Sequence, residues 1–341
     1  MPQSSKQLKG CNVSDVVQAL VAASGLSERD VRTIIATAPS RYKTYSIPKR
    51  RGGERIISQP AREVKFLQRI IVEEILSRLP VHDAAMAYRE GRSIRDNAAV
   101  HAGGGAILKF DFADFFPSIK ADDWAAYCRR HSVFKDVDDI RLSANLLFRR
   151  TKYGSVLRLA IGAPSSPHLS NILMREFDQR VTEAVAKEKV KYTRYADDLT
   201  FSAKRAHNLI GIERVLRRII REVASPHLRL NEDKTVLATR KYRRVVTGLV
   251  LADDGKVSLG RDRKRDIRAA LHHYALGQLN GHETARLSGL LAFVNAIEPE
   301  FLERLVDKYG PAVIERIKAR LPPTANCQQP HDPIIEFKFR E

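Results

Sequence analysis

The sequence predicts an α+β fold in which short hairpins alternate with amphipathic helices, and three observations carry that prediction. Two pairs of short extended runs flank tight turns, Tyr45 to Ile57 around Gly52-Gly53, and Lys191 to Arg194 with Leu199 to Ser202 around Tyr195-Ala196-Asp197-Asp198. Apolar and β-branched residues on both sides of such a turn are the local signature of a hairpin. Segments with helical spacing lie before and after them, at residues 12–38, 62–79, 120–150 and 205–224. From Arg261 to Arg320 the chain reads as helix and is strongly basic, so strands end near Leu259.

Taken in order, residues 12–38 divide into two short helices at Gly25. The second starts at Ser27, with Asp30 completing a capping box, and stops before Pro39. The first hairpin is loaded with cations, Lys49, Arg50, Arg51 and Arg55, and taken alone it is an ordinary solvated basic turn. Gly103-Gly104-Gly105 breaks the chain ahead of Ala106 to Phe112, a short apolar run of strand type. Residues 120–150 read as helical and carry Trp124, the single tryptophan, expected in the core. Gly162 to Pro167 is a loop that opens a helix continuing to about Lys187. The tail from Leu321, with Pro322-Pro323, has little periodicity.

Composition narrows the function. Lys and Arg number 59 against 40 Asp and Glu, a net charge of +19 over 341 residues, which points to a polyanionic partner, most simply nucleic acid. A hydrophobic content of 43% excludes a disordered basic tail protein. Cys11, Cys128 and Cys327 are far apart and lack metal-ligand spacing, which excludes a disulfide framework and gives no support to zinc. No apolar stretch is long enough to span a bilayer and residues 1–20 lack a signal-peptide core, so a cytoplasmic protein without membrane contact is expected.

The chemistry centres on Asp197-Asp198 in the second hairpin. Adjacent carboxylates repel, so the pair gains little unless a cation sits between them. Hard divalent ions take carboxylate oxygens, although on spacing alone a solvated Asp-Asp turn is an equal reading. Asp111, at the end of the apolar strand, supplies the third acid that two-metal phosphoryl transfer needs.

Phe110 to Ile119, Gly162-Ala163-Pro164-Ser165-Ser166-Pro167 and Tyr195-Ala196-Asp197-Asp198, in that order, resemble motifs A, B and C of reverse transcriptases. Lys234, in Leu230-Asn231-Glu232-Asp233-Lys234-Thr235, resembles their motif D lysine. Asn97-Ala98-Ala99-Val100-His101, Val246-Thr247-Gly248 and the lead-in Tyr88 to Ile94 resemble features of retron reverse transcriptases.

That resemblance implies a right-hand polymerase fold: fingers and palm over residues 1–240, a mainly helical RNA-binding thumb over 241–320 and a C-terminal tail over 321–341. It implies that Asp111, Asp197, Asp198 and the Phe112 carbonyl hold two Mg²⁺ ions, with Mn²⁺ able to substitute. Lys49 and Arg55 would bind the dNTP triphosphate, with Arg50 and Arg51 close competitors. Phe116 would exclude a ribose 2′-hydroxyl, Gly162 and Ala163 would let the backbone approach nucleotide and template, and Lys234 would protonate pyrophosphate. Ile161 stands where many relatives carry Gln, which removes a hydrogen bond to the nucleotide sugar. Arg243, Arg244, Val246, Thr247, Gly248, Arg265 and Arg268 would contact RNA. Asn97 and His101 share a helix face, and satisfaction in the core is as good a reading of them as a retron-specific role.

The expected function is RNA-directed DNA synthesis on a cognate noncoding RNA (msr-msd). A guanosine 2′-hydroxyl would prime it, the product would be branched msDNA, and an effector protein would be a partner in antiphage defence. The alternatives are another bacterial reverse transcriptase, group II-like or of a different defence type, with conventional priming, and a catalytically silent RNA-binding scaffold for an effector.

Overall fold

The structure, a computed structural model, describes residues 16–49, 52–151 and 154–319. Arg50, Arg51, Cys11, Cys327 and the tail from Leu321 lie outside the described residues.

Helices α1 (Val16–Ser24) and α2 (Glu28–Thr37) flank Gly25, and the Ser27 side chain accepts from the Asp30 N–H as the capping pattern predicts. Strands β1 (Tyr42–Pro48) and β2 (Glu54–Pro60) form the basic hairpin, with Ile47 opposite Arg55. Its turn places Gly52 and Gly53 at φ of 88° and 80°, a region open to glycine at little steric cost. Helices α3 (Arg62–Glu74) and α4 (Ile94–Ala102) follow, the latter opened by a Ser93–Asp96 capping box.

Strand β3 (Ala106–Asp111) leads through the short α5 (Phe115–Ser118) to α6 (Ala121–His131) and α7 (Val137–Leu147). The helical reading of residues 120–150 is therefore corrected to two helices. Ser132 is left-handed (φ 50°), and the Asp136 side chain caps a new start by accepting from the Asp138 N–H. Strands β4 (Arg149–Arg150) and β5 (Leu157–Arg158) pair, and α8 (Ser166–Leu173) and α9 (Arg175–Ala186) follow the Gly/Pro/Ser loop.

Next come β6 (Lys191–Tyr195), β7 (Asp198–Ala203) and α10 (Ile212–Glu222). Gly211, at φ 87°, separates α10 from a short 3₁₀ turn at Ala206–Leu209, so the helix expected over 205–224 is shorter. The chain ends in β8 (Val236–Thr239), β9 (Val245–Val246), β10 (Leu249–Leu251), β11 (Val257–Ser258), α11 (Arg261–Ala275), α12 (Gly281–Ile297), α13 (Pro299–Tyr309) and α14 (Pro311–Lys318). The largest sheet has the order β6-β7-β3-β8, and a three-stranded sheet has the order β11-β10-β9.

The chain forms two compact units. The first takes residues up to 91 with 109–200 and 210–236, and the second takes 92–108, 201–209 and 237 onward. In the first, Trp124 is fully buried, stacks on Tyr127 with centroids 5.8 Å apart, and donates its indole N–H to Ser143 at 2.9 Å. The second has its own core, in which Val246, Leu249, Ile267, Leu271, Leu287, Leu291, Val294 and Phe301 are fully buried. Each such aliphatic side chain contributes on the order of 1.5–3 kcal/mol of transfer free energy. Among the described residues no helix is long and apolar enough to cross a membrane.

Candidate active site

Asp111 closes β3, and Asp197 and Asp198 lie at the turn from β6 to β7. Backbone bonds bring these ends together: the Phe112 N–H donates to the Asp197 carbonyl at 3.0 Å. The Asn231 N–H donates to the Asp111 carbonyl at 2.7 Å and the Ala113 N–H to the Arg229 carbonyl at 2.8 Å, laying the segment before Lys234 beside Asp111. Lys234 Nζ reaches Asp111 Oδ1 at 2.8 Å.

Burial and neighbouring carboxylates act on Asp197 and Asp198. Burial, then the Asp198 and Asp111 charges, push the Asp197 carboxyl up to about 6, with Lys234 opposing. Burial also raises Asp198, opposed by Lys109 and reinforced by Asp111. A chain accepts such mutual destabilisation where a cation is to be held or a charge developed.

The turn is fixed from beneath. Arg194, wholly buried, donates from Nε and Nη2 to the equally buried Asp178 carboxylate at 2.9 and 2.7 Å, and from Nη1 to the Ala196 carbonyl at 3.1 Å. Tyr192 donates its hydroxyl to the same carboxylate at 2.8 Å. Beside β6, the Met86 N–H donates to the Arg194 carbonyl (2.8 Å) and the Arg194 N–H to the Ala84 carbonyl (2.7 Å), while the Asn171 amide donates to the Ala87 carbonyl (2.8 Å). These bonds fix Tyr88, left-handed at φ 58°. Its hydroxyl is pushed up to about 12 by burial and then by Asp197, with Arg55 opposing. Its ring lies 6.4 Å from that of Phe116.

Residues 47–261 match the family described as reverse transcriptase (RNA-dependent DNA polymerase). The chain is 38% identical over 294 residues to the retron Ec83 reverse transcriptase of Escherichia coli, covering 85% of this chain and 94% of that one. It is 32% identical over 318 residues to the retron Ec86 enzyme of the same organism, covering 91% and 95%. The retron Ec73 enzyme, also from Escherichia coli, is 31% identical over 304 residues, covering 86% and 95%. The chain belongs to the retron reverse transcriptases.

It is accordingly an RNA-directed DNA polymerase with the right-hand polymerase fold, and nucleic acid is its partner. In this retron reverse transcriptase the three motif A phenylalanines differ in setting. Phe112 and Phe115 are buried and stacked with centroids 5.8 Å apart, whereas Phe116 is half-buried with Tyr88 beside it. Lys49 and Arg55 are exposed on the hairpin, and Arg55 lies within electrostatic reach of Tyr88. Gly162 sits at φ 114°, and a Cβ there would stand 3.2 Å from both Ile57 Cγ2 and the Ser58 carbonyl oxygen. Its close approach is thus to β2, reinforced by the Ser58 N–H donating to the Ile161 carbonyl at 2.7 Å, and Ala163 is buried behind it.

In the second unit the expected RNA contacts separate. Arg243, Arg265 and Arg268 are exposed, Arg243 pairing with Asp262 at 3.1 Å and Arg268 lying 5.0 Å over the Phe301 ring. Thr247 and Gly248, left-handed at 46° and 77°, turn β9 into β10, and the Thr247 hydroxyl donates to the Ile94 carbonyl at 3.0 Å. Arg244 and Val246 are corrected: both are buried, and the Arg244 guanidinium donates to the Gly104, Leu251 and Ala252 carbonyls and to Asp253. Asn97 and His101 are buried too, His101 Nδ1 lying 2.7 Å from Ser202 Oγ.

Tyr88, Lys109, Asp178 and Arg194 were not singled out as site residues by sequence. Tyr88 stands in a stretch that resembles the retron lead-in, whereas the other three carry no local signal.

Proposed function

We propose that this retron reverse transcriptase copies a cognate structured noncoding RNA (msr-msd) into msDNA. A guanosine 2′-hydroxyl primes the synthesis to give a 2′–5′ branched RNA–DNA, and an effector protein is its partner in antiphage defence. The observation that carries the catalytic part is the pair of raised acids, Asp197 and Asp198, beside Asp111, with Lys234 bonded to Asp111. Asn97 to His101 and Val246 to Gly248, with the retron relatives, support the retron-specific part.

Asp111, Asp197, Asp198 and the Phe112 carbonyl would hold two Mg²⁺ ions, or Mn²⁺ in their place. Asp197 and Asp198, raised by burial and by neighbouring carboxylates, are the donors a hard dication neutralises. Among the described residues no three acid, His or Cys side chains stand together as a metal cage, so water and substrate phosphate oxygens would complete the Mg²⁺ shell. When bound, the metal supplies a more acidic primer hydroxyl and neutralises charge on the triphosphate.

The chain's own groups do the rest. Lys49 and Arg55 grip the dNTP phosphates, Arg with a planar fork and Lys as a point charge. Phe116, kept in place by Tyr88, blocks a 2′-hydroxyl, and Gly162 and Ala163 keep the nucleotide pocket wall narrow. Lys234 protonates the departing pyrophosphate. Residues 1–240 serve as fingers and palm, 241–320 as a thumb, and 321–341 as a tail. Thr247, Gly248 and the exposed Arg243, Arg265 and Arg268 contact RNA.

Extension of a poly(rA)/oligo(dT) duplex with Mg²⁺ and dTTP tests the catalytic reading. Asp197→Ala should lower the rate more than about 10²-fold, and equal rates would overturn the site. Sequencing nucleic acid co-purified from the native host should show a branched RNA–DNA. Unbranched products alone would leave conventional priming as the reading.

A further inference from the structure

A groove of about 520 Å³ opens within the second unit, with Gly103, Gly105, Lys204, Arg240 and Lys241 among its walls. Its floor is built rather than incidental. A Cβ on Gly105 would stand 2.1 Å from the Lys204 carbonyl oxygen, so only glycine lets these two backbones meet there. The Gly105 N–H donates to the Ala203 carbonyl at 2.8 Å, and the buried Arg244 guanidinium holds the Gly104 carbonyl. His101 secures the neighbouring Ser202 at 2.7 Å.

On this floor stands an uncompensated charge. Lys204, Arg240 and Lys241 are exposed, as is the adjoining Arg205, and among the described residues none of the four is paired with a carboxylate. Other cations of the same unit are paired: Arg243 with Asp262 at 3.1 Å, Lys264 with Glu298 at 2.5 Å. Like charges gathered without counter-ions favour a polyanion, and Tyr242, next in the chain and 69% exposed, adds an aromatic face. Cations with an adjacent exposed ring are the combination that holds unpaired nucleic acid.

We propose that this groove is a second nucleic-acid site, which takes the phosphodiester backbone of a single-stranded stretch on Lys204, Arg240 and Lys241 and stacks one base on Tyr242. It rests on the polymerase reading only in that nucleic acid is the ligand. RNA and product DNA share the chemistry, and the test separates them.

The full chain is first saturated with poly(rA)/oligo(dT), and binding of labelled (rC)₂₀ and (dC)₂₀, which do not pair with that duplex, is then followed at graded salt. The wild type should bind. Lys204→Gln/Arg240→Gln/Lys241→Gln should lose more than about tenfold in affinity, with a salt slope shallower by about 2. Duplex extension should stay within about twofold of wild type. Tyr242→Ala should weaken binding about fivefold or more without changing the slope. Tighter (rC)₂₀ would mark the RNA as occupant and tighter (dC)₂₀ the product strand, and both uphold the site. Failure of the duplex-bound wild type to bind, or unchanged binding by the triple variant, would overturn it. So would polyglutamate competing as well as either oligonucleotide with Tyr242→Ala silent, which would assign the groove to an acidic protein segment. Lack of extension by the wild type would count against the polymerase reading and leave the groove result standing.

Discussion

Arg194 in the first unit and Arg244 in the second are both almost wholly buried, yet their guanidiniums are satisfied in different ways. Arg194 meets a buried carboxylate, and both side chains are fully shielded from water. Arg244 meets three backbone carbonyls and one acid, Asp253, whose side chain is 77% exposed. The first arrangement is a desolvated ion pair, in which each charge depends on the other. The second is a cation dissolved in backbone dipoles, which stay neutral if it leaves. Each fixes a loop: Arg194 holds the Ala196 carbonyl beside Asp197, and Arg244 holds the Gly104 carbonyl between Gly103 and Gly105 of the groove wall.

The sharpest way to break the comparison is to remove the cations. Arg194→Met leaves Asp178 charged and buried without a partner, and should cost about 3–5 kcal/mol by urea denaturation. Polymerisation should fall with it, since the Asp197 turn loses a support. If Asp178→Leu in the same chain restored most of that stability, the cost would be confirmed as that of a stranded charge. Arg244→Met strands only carbonyls, which water can partly reach, and about 2–3 kcal/mol is expected. Equal losses in the two variants would erase the distinction.

The same contrast shows what the sequence discloses. The acids were legible because Asp197 and Asp198 are adjacent and Asp111 ends an apolar strand, both local patterns, and Lys234 follows them in order. The basic hairpin and the capped start of α2 were legible for the same reason. Arg194 and Asp178, 16 positions apart, carry no local mark of pairing, because helix α9 and strand β6 meet only in the fold. Tyr88 belongs to a legible stretch, but its place near Asp197 comes from bonds at Ala84, Met86 and Ala87. Arg244 was misread as an RNA contact because composition shows a cluster of cations and not which member turns inward. The breaks at Ser132 and Gly211 were missed because helical periodicity continues across a residue that reverses its φ.

Smaller changes resolve the two networks further. Tyr192→Phe removes one donor from the Asp178 carboxylate while Arg194 still neutralises it, so a loss of about 1 kcal/mol is expected. Asp253→Ala should be smaller still, at most about 0.5 kcal/mol. Its carboxylate is largely in water, which screens it from Arg244, and the three carbonyls continue to satisfy the guanidinium. The paired measurement is Asp178→Ala, which leaves Arg194 buried and unneutralised and should cost several times more. A loss for Asp253→Ala as large as that for Asp178→Ala would mean that Arg244 depends on its carboxylate, and that the two arginines are held alike after all.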